Sequence, residues 1–301
     1  MTSQCNECWQ PTCLQQTIQP CPNSCILGFD KPYEQAKLVV FGAPFDGTTS
    51  YRPGARFGPS SIRAESFGME TYSPYCKADL QDIQAHDAGD IELPFGDTQT
   101  VLSYIYAYTK QILADNKIPC MLGGEHLVTL PAVTAVWEKY SDLHLIHLDA
   151  HADLREDYLG MPLSHASVIR RIWEKLGDYK IWQFGIRSGE RIEFEWASQH
   201  THFHPLTLDV QAVQKMVVAL QEKPIYLTID LDILDPSIFP GTGTPEHGGI
   251  TYRELIQFFQ IIQPLCIVGA DLVELSPHYD PSGRSTAAAC TLLRELSLHF
   301  R

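Results

Sequence analysis

Leu143-His144-Leu145-Ile146-His147-Leu148-Asp149-Ala150-His151-Ala152-Asp153 is an apolar run that ends in ligand-type side chains. Residues 143–148 read as a buried strand. Such a strand ordinarily stops at Gly, Pro or Asn, yet this one stops at Asp149, His151 and Asp153, at every second position. In extended chain, alternate residues point to one side. Two carboxylates and an imidazole converging there would repel or stay unpaired unless a cation lay between them. A divalent metal is the simplest such cation.

Strand-like and helix-like segments alternate around this stretch from residue 37 onward. Residues 37–41, 119–122, 180–184, 224–230 and 266–273 read as further strands. Apolar spacing of three and four predicts helices over 98–115 and near 129–140. His165, Val168, Ile169, Ile172, Trp173 and Leu176 mark one helical face, closed by Gly177 as a C-cap. Thr251 and Glu254 form a capping box that opens a helix over 252–262, and a last helix spans 285–298. The alternation predicts an α/β domain with a mainly parallel sheet covered on both faces.

Three more strands end in ligand-type residues. Gly123-Gly124-Glu125-His126 follows one, Asp230-Leu231-Asp232 ends another, and Glu274 closes the run 267–273. Sites in open α/β sheets gather beyond the carboxyl ends of the strands. Any one of these groups is commonplace as a turn or N-cap. Their coincidence points to one metal site built from His126, Asp149, His151, Asp153, Asp230 and Asp232. Oxygen and nitrogen ligands without sulfur favour manganese-like ions, and six ligands suit two ions bridged by shared carboxylates. Four carboxylates, two divalent ions and a bridging hydroxide leave the cluster about one unit negative. That charge suits a cationic electrophile.

The ordered set of motifs resembles the ureohydrolase (arginase–agmatinase) family over roughly residues 37–298. The motifs are Gly-Gly-Glu-His, Asp-Ala-His-Ala-Asp, Ser164-His165-Ala166-Ser167, Asp230-Leu231-Asp232-Ile233-Leu234-Asp235-Pro236 and Gly241-Thr242-Gly243-Thr244-Pro245. The stretches 42–46 and 52–59 are closer to the agmatinase branch. The resemblance implies a three-layer α/β/α arginase-like fold and two Mn2+ per subunit. It implies that His126 and Asp153 hold one ion, His151 and Asp232 the other, and that Asp149 and Asp230 bridge. A metal-bridging hydroxide would attack a guanidinium held by Glu274. Asp153 would pass the proton to the leaving nitrogen, and His165 would act as proton shuttle. For agmatine the products are putrescine and urea, which would place the chain in polyamine biosynthesis. The family also implies a homo-trimer or homo-hexamer.

Arg155 is the point of departure from the arginase pattern, which has Asn there. An unpaired arginine would repel the ammonium of agmatine and attract a guanidino acid such as 4-guanidinobutyrate. Glu156 and Asp157 follow directly, so Arg155 is expected to pair with an acidic neighbour. Agmatine is then the first expectation, a guanidino acid the second, and arginine less favoured. A reading of another class is a non-catalytic, metal-dependent binding or regulatory protein on the same fold.

Composition bounds the rest. The 301 residues include 44% hydrophobic and 19% charged side chains, with a formal net charge of −14, as in soluble globular proteins. Such an acidic chain is a poor non-specific nucleic-acid binder and is compatible with a small cationic substrate. No apolar stretch reaches the roughly 20 residues of a membrane span, and no secretory signal is visible. A cytoplasmic protein is expected. Residues 1–30 form a Cys-, Pro- and Gln-rich zone, and 31–301 a single catalytic domain. Cys5, Cys8, Cys13, Cys21 and Cys25 crowd that zone. Cys5-x-x-Cys8 has zinc-ligand spacing, but no second such pair follows. An extended arm packing on the body or on a neighbouring subunit is the favoured reading. Cys120 and Cys266 lie in apolar runs and are expected to be small core residues. His200, His202 and His204 are read as polar positions on a short strand rather than a metal cluster. Asp271 is given no role, since strand parity sets it opposite Glu274.

Overall fold

The computed structural model describes residues 9–12, 20–21 and 25–301. Cys5, Cys8 and Cys13 lie outside the described residues. Among these residues the strands are β1 (Pro20–Cys21), β2 (Leu38–Ala43), β3 (Tyr72–Ser73), β4 (Ala78–Asp79), β5 (Ala85–Ile91), β6 (Ile118–Gly123), β7 (His144–Leu148), β8 (Ile181–Phe184), β9 (His202–His204), β10 (Pro224–Asp230) and β11 (Cys266–Val273). The helices are α1 (Gly58–Glu65), α2 (Thr98–Ala114), α3 (Thr129–Lys139), α4 (Val168–Leu176), α5 (Arg191–His200), α6 (Val210–Ala219), α7 (Tyr252–Ile261) and α8 (Arg284–Ser297).

Nine strands form one sheet in the order β1-β5-β2-β6-β11-β10-β7-β8-β9, and all but β1 run parallel. Strand side chains alternate between two cores. Leu38, Val40, Ile225, Leu227 and Ile229 pack beneath α1, α6, α7 and α8. Val39, Phe41, Leu145 and Tyr226 pack beneath α2, α3, α4 and α5. Burial on both faces is why the strands read as nearly continuous apolar runs.

The chain lays β1, β2, β5 and β6 on one side and then runs outward through β7, β8 and β9 on the other, and β10 and β11 later fill the gap between β6 and β7. Leu122, Leu272, Ile229 and Leu148 stand side by side across β6, β11, β10 and β7. Ligand-type residues begin one position past this apolar row on β7 and β10, at Asp149 and Asp230, and follow within four positions on β6 and β11. Four neighbouring strands therefore deliver their loops to one point, at the topological switch where open sheets hold ligands.

Several elements were not anticipated from the sequence. The strand β5 carries Asp87 and Asp90, whose charges are met by the buried Arg63 of α1. α1, α5 and α6 were likewise not assigned. Cys120 is buried as expected, but Cys266 opens β11 and is exposed. His165–Ser167 form a 3-10 turn ahead of α4 rather than its first α turn. In the N-terminal zone, Trp9 is buried against the body, edge-on to Tyr106, and its carbonyl accepts from Lys175. Cys25 is exposed, with a free thiol. No helix among the described residues is long and apolar enough to cross a membrane.

Candidate metal centre and substrate cavity

Gly123 and Gly124 let the loop after β6 turn under β2. A Cβ on Gly124 would sit 1.9 Å from the Phe45 carbonyl oxygen, and the Glu125 amide donates to that same oxygen at 2.8 Å. This close approach sets His126 over the sheet edge. Its Nδ1 lies 3.0 Å from Asp149 Oδ2, 3.3 Å from Asp153 Oδ2 and 3.4 Å from Asp230 Oδ2. A second group lies beside it, with His151 Nδ1 3.0 Å from Asp232 Oδ2 and 3.5 Å from Asp149 Oδ1. Asp149 thus offers one oxygen to each histidine.

The Asp149–Asp153 stretch is only partly extended. It pairs with the chain after β8, where Arg187 and Ser188 donate to the Ala150 carbonyl and the Ala152 amide donates to Ser188. Asp149 and His151 share a side as alternation predicts. Asp153 does not reach the cluster by alternation, because its φ is 53°. Glu274, with φ 65°, is the other site residue in the left-handed region. Such a non-glycine conformation costs about 1–3 kcal/mol and is often found at functional sites. The Glu274 carboxylate accepts the His126 backbone N–H at 2.8 Å.

Two chains of hydrogen bonds brace the candidate ligands from behind. His126 Nε2 meets Thr228 Oγ1 at 2.9 Å, and that hydroxyl donates to Asp271 Oδ1 at 2.6 Å. The hydroxyl proton is committed, so His126 donates from Nε2 and leaves Nδ1 to face the carboxylates. Asp271 also accepts from Thr129 and Tyr226. Asp271 thus has a bracing role that strand parity does not show, since Glu274 lies beyond the strand. Its in-register neighbour is Thr228, and both are polar residues inside apolar runs, a signal visible in the sequence. On the other side, the Gln183 amide donates to His147 Nδ1 at 3.1 Å, so His147 Nε2–H donates to Asp149 Oδ2 at 2.8 Å. His147, expected to be a core histidine, therefore also holds Asp149.

These residues fit bound divalent metal. His126 Nδ1 is buried and makes no well-directed hydrogen bond, although three carboxylate oxygens surround it. Among the described residues, Asp149, His151 and Asp232 converge closely enough to hold an ion, and His126 joins Asp149 on its other side, where His147 is already hydrogen-bonded. The titration behaviour agrees. Burial, then the Asp149 charge, pushes Asp153 up to about 7. Burial, then Asp232 and Asp149, pushes Asp230 well above the carboxylate range, and burial with Glu125 and Asp232 does the same to Glu274. Burial pulls His126 and His151 down, but the carboxylates around them outweigh it and both rise well above the usual histidine range. Carboxylates so crowded favour a cation among them.

A cavity of about 250 Å³ opens over the centre. His126, His151, Asp153, Asp230 and Glu274 form its floor, and Arg155, Tyr158, His165, Glu190 and Glu193 line it. Arg155 is paired as expected, but not with Glu156 or Asp157. Its Nη1 bonds Glu190 Oε1 at 2.9 Å, its Nε lies 3.7 Å from Glu193 Oε2, and it sits over the Tyr158 ring. The two glutamates come from the N-terminus of α5, an element not assigned from the sequence. His165 stands at the wall, where burial lowers it to about 4, so the ring is neutral near pH 7. His202 and His204 stack on Trp182 and Phe184, and His200 stacks on Trp196 and pairs with Asp178.

A family model described as the arginase family matches residues 36–299. The chain belongs to the arginase family. The agmatinase of Bacillus subtilis (strain 168) is 46% identical over 271 residues, which cover 89% of this chain and 93% of that one. A solved Clostridium difficile structure, described as a candidate agmatinase, superposes with a TM-score of 0.87 at 55% identity, covering 89% of this chain and 98% of that one. The human mitochondrial guanidino acid hydrolase is 36% identical over 274 residues, 87% of this chain and 78% of that protein. Within the family the chain is an agmatinase-like ureohydrolase of the three-layer α/β/α fold.

Proposed function

We infer that the chain hydrolyses the guanidinium of agmatine to putrescine and urea. The observation that carries this reading is the acidic cavity, where Glu274 stands beside the His126–Asp149–His151 cluster and a rim of two glutamates faces one arginine. The likeness to the Bacillus subtilis agmatinase supports it.

Two manganese ions are the proposed cofactor, held by His126 and Asp153, by His151 and Asp232, and by Asp149 and Asp230 between them. A bound metal pair lowers the pKa of a shared water, which supplies a nucleophile near neutral pH. Glu274 orients the guanidinium through charge-assisted hydrogen bonds. Asp153 accepts the proton of the attacking water and delivers it to the leaving nitrogen, because an amine leaves readily only when protonated. His165, neutral and at the cavity wall, carries protons between this nitrogen and solvent. The far ammonium of agmatine lies toward Glu190, and Arg155 is neutralised by the same glutamates. The working unit is proposed to be a homo-trimer or homo-hexamer in the cytoplasm, with residues 1–30 as an arm and 31–301 as the catalytic domain.

Urea release from the manganese-loaded protein tests the reading. Agmatine is expected to give the highest kcat/KM, ahead of 4-guanidinobutyrate and arginine. A preference for the guanidino acid would move the chain to the second substrate class. No urea from any of the three would end the hydrolase reading and favour a binding or regulatory protein.

A further inference from the structure

Glu125 is fully buried and lies in the Gly-Gly-Glu-His turn, yet it has no part in the chemistry above. Its carboxylate is directed at the loop after β2. Oε2 accepts the Thr48 backbone N–H at 2.8 Å and the Thr49 hydroxyl at 3.2 Å. Oε1 accepts the Thr48 hydroxyl at 2.5 Å. That hydroxyl faces His165 in turn. It lies 3.1 Å from the His165 backbone N and 3.4 Å from Nδ1.

A threonine hydroxyl has one proton and two lone pairs. With Glu125 ionised, that proton goes to its carboxylate, and the two nitrogens of His165 near the hydroxyl then both donate. A neutral imidazole with a donating Nδ1 keeps its lone pair on Nε2. Nε2 faces Ser50 Oγ, which lines the cavity, at 3.4 Å. We propose that Glu125, acting through Thr48, is a positioning residue that fixes His165 in the Nδ1–H tautomer, with Nε2 bare toward the cavity. The link to turnover rests on His165 moving protons in the proposed hydrolysis, since only a bare Nε2 can take a proton from the reacting end.

Glu125→Gln reverses this chain in a defined way. The Thr48 N–H cannot rotate, so the glutamine carbonyl oxygen must remain at the Oε2 position. The amide NH2 then occupies the Oε1 position and donates to the Thr48 hydroxyl. The hydroxyl proton is released toward Nδ1, and the ring is expected to switch to Nε2–H.

Nitrogen-15 spectra of the full-length, histidine-labelled protein loaded with diamagnetic magnesium read the tautomer directly. The His165 signals are identified by their loss in His165→Asn. Wild type is expected to show Nδ1–H and Glu125→Gln to show Nε2–H. Thr48→Val removes the hydroxyl and is expected to mix the two forms, while Thr48→Ser keeps the wild-type form. An Nε2–H wild type overturns the proposal, as does one unchanged tautomer across the Gln and Val variants. In the manganese enzyme, Glu125→Gln is expected to lower kcat about tenfold or more, with KM and bound metal nearly unchanged. Thr48→Ser should stay close to wild type. Were wild type to release no urea, the hydrolase reading would fail, while the spectra would still decide the tautomer.

Discussion

The side chain with the most demands on it is Asp149. One oxygen meets His126 and His147, and the other meets His151 together with that residue's own amide. Burial raises its carboxyl, but the three histidines outweigh burial and hold it well below the usual range. Asp149→Asn is therefore expected to reduce bound manganese from about two ions per chain to one or fewer, measured by elemental analysis. Unchanged occupancy would remove it from the bridging position. Glu190 is the residue on which substrate choice is expected to turn. Glu190→Gln deletes a cavity carboxylate and releases Arg155. KM for agmatine should rise about threefold to tenfold, with a smaller rise or a fall for 4-guanidinobutyrate. Equal effects on both substrates would place the far end of the substrate elsewhere.

At the scale of elements, the loops are held more tightly than the strands suggest. Gly124→Ala would push a methyl into the Phe45 carbonyl and part the β2 and β6 loops. Relief of that clash is expected to cost about 1–3 kcal/mol, seen as a lower midpoint in denaturant unfolding, and to cut metal content by displacing His126. A variant that keeps full metal content would show that the loop tolerates the shift. Elements with one clear periodicity were legible in the sequence, among them α2, α3, the Thr251–Glu254 box of α7 and the full span of β11. β5 was not, because Asp87 and Asp90 break its apolar pattern, and the cation that pairs with them, Arg63, comes from another element. Asp153 and Glu274 were legible as residue types. Their left-handed backbone was not, since it comes from packing rather than from local preference. Thr228 and Asp271 could have been found as polar residues in apolar runs. The partners of Arg155 could not, because tertiary folding brings α5 to it.

For the whole molecule, acid is the expected weakness. Burial lowers His144 and His165 to about 4, against roughly 6.5 for a free histidine. The unfolded chain therefore binds more protons than the fold between these values. The sign follows: the contribution is fully present above about pH 6.5 and is lost as pH falls toward 4. The melting temperature is expected to drop across this window. His144→Gln, remote from the metal cluster, should lessen the drop. Parallel curves for variant and wild type would show that His144 carries none of it.

The bond from the His126 amide to Glu274 has a thermodynamic consequence. Glu274 also donates its own amide to the Gly124 carbonyl, so β11 and the β6 loop are latched together at both ends of one residue. A guanidinium seated on Glu274 would tighten the latch that holds His126. Binding free energies coupled in this way are reciprocal. Substrate would raise the affinity for metal by the same free energy with which metal tightens the grip on substrate, and the two would enter the cavity as one cooperative unit.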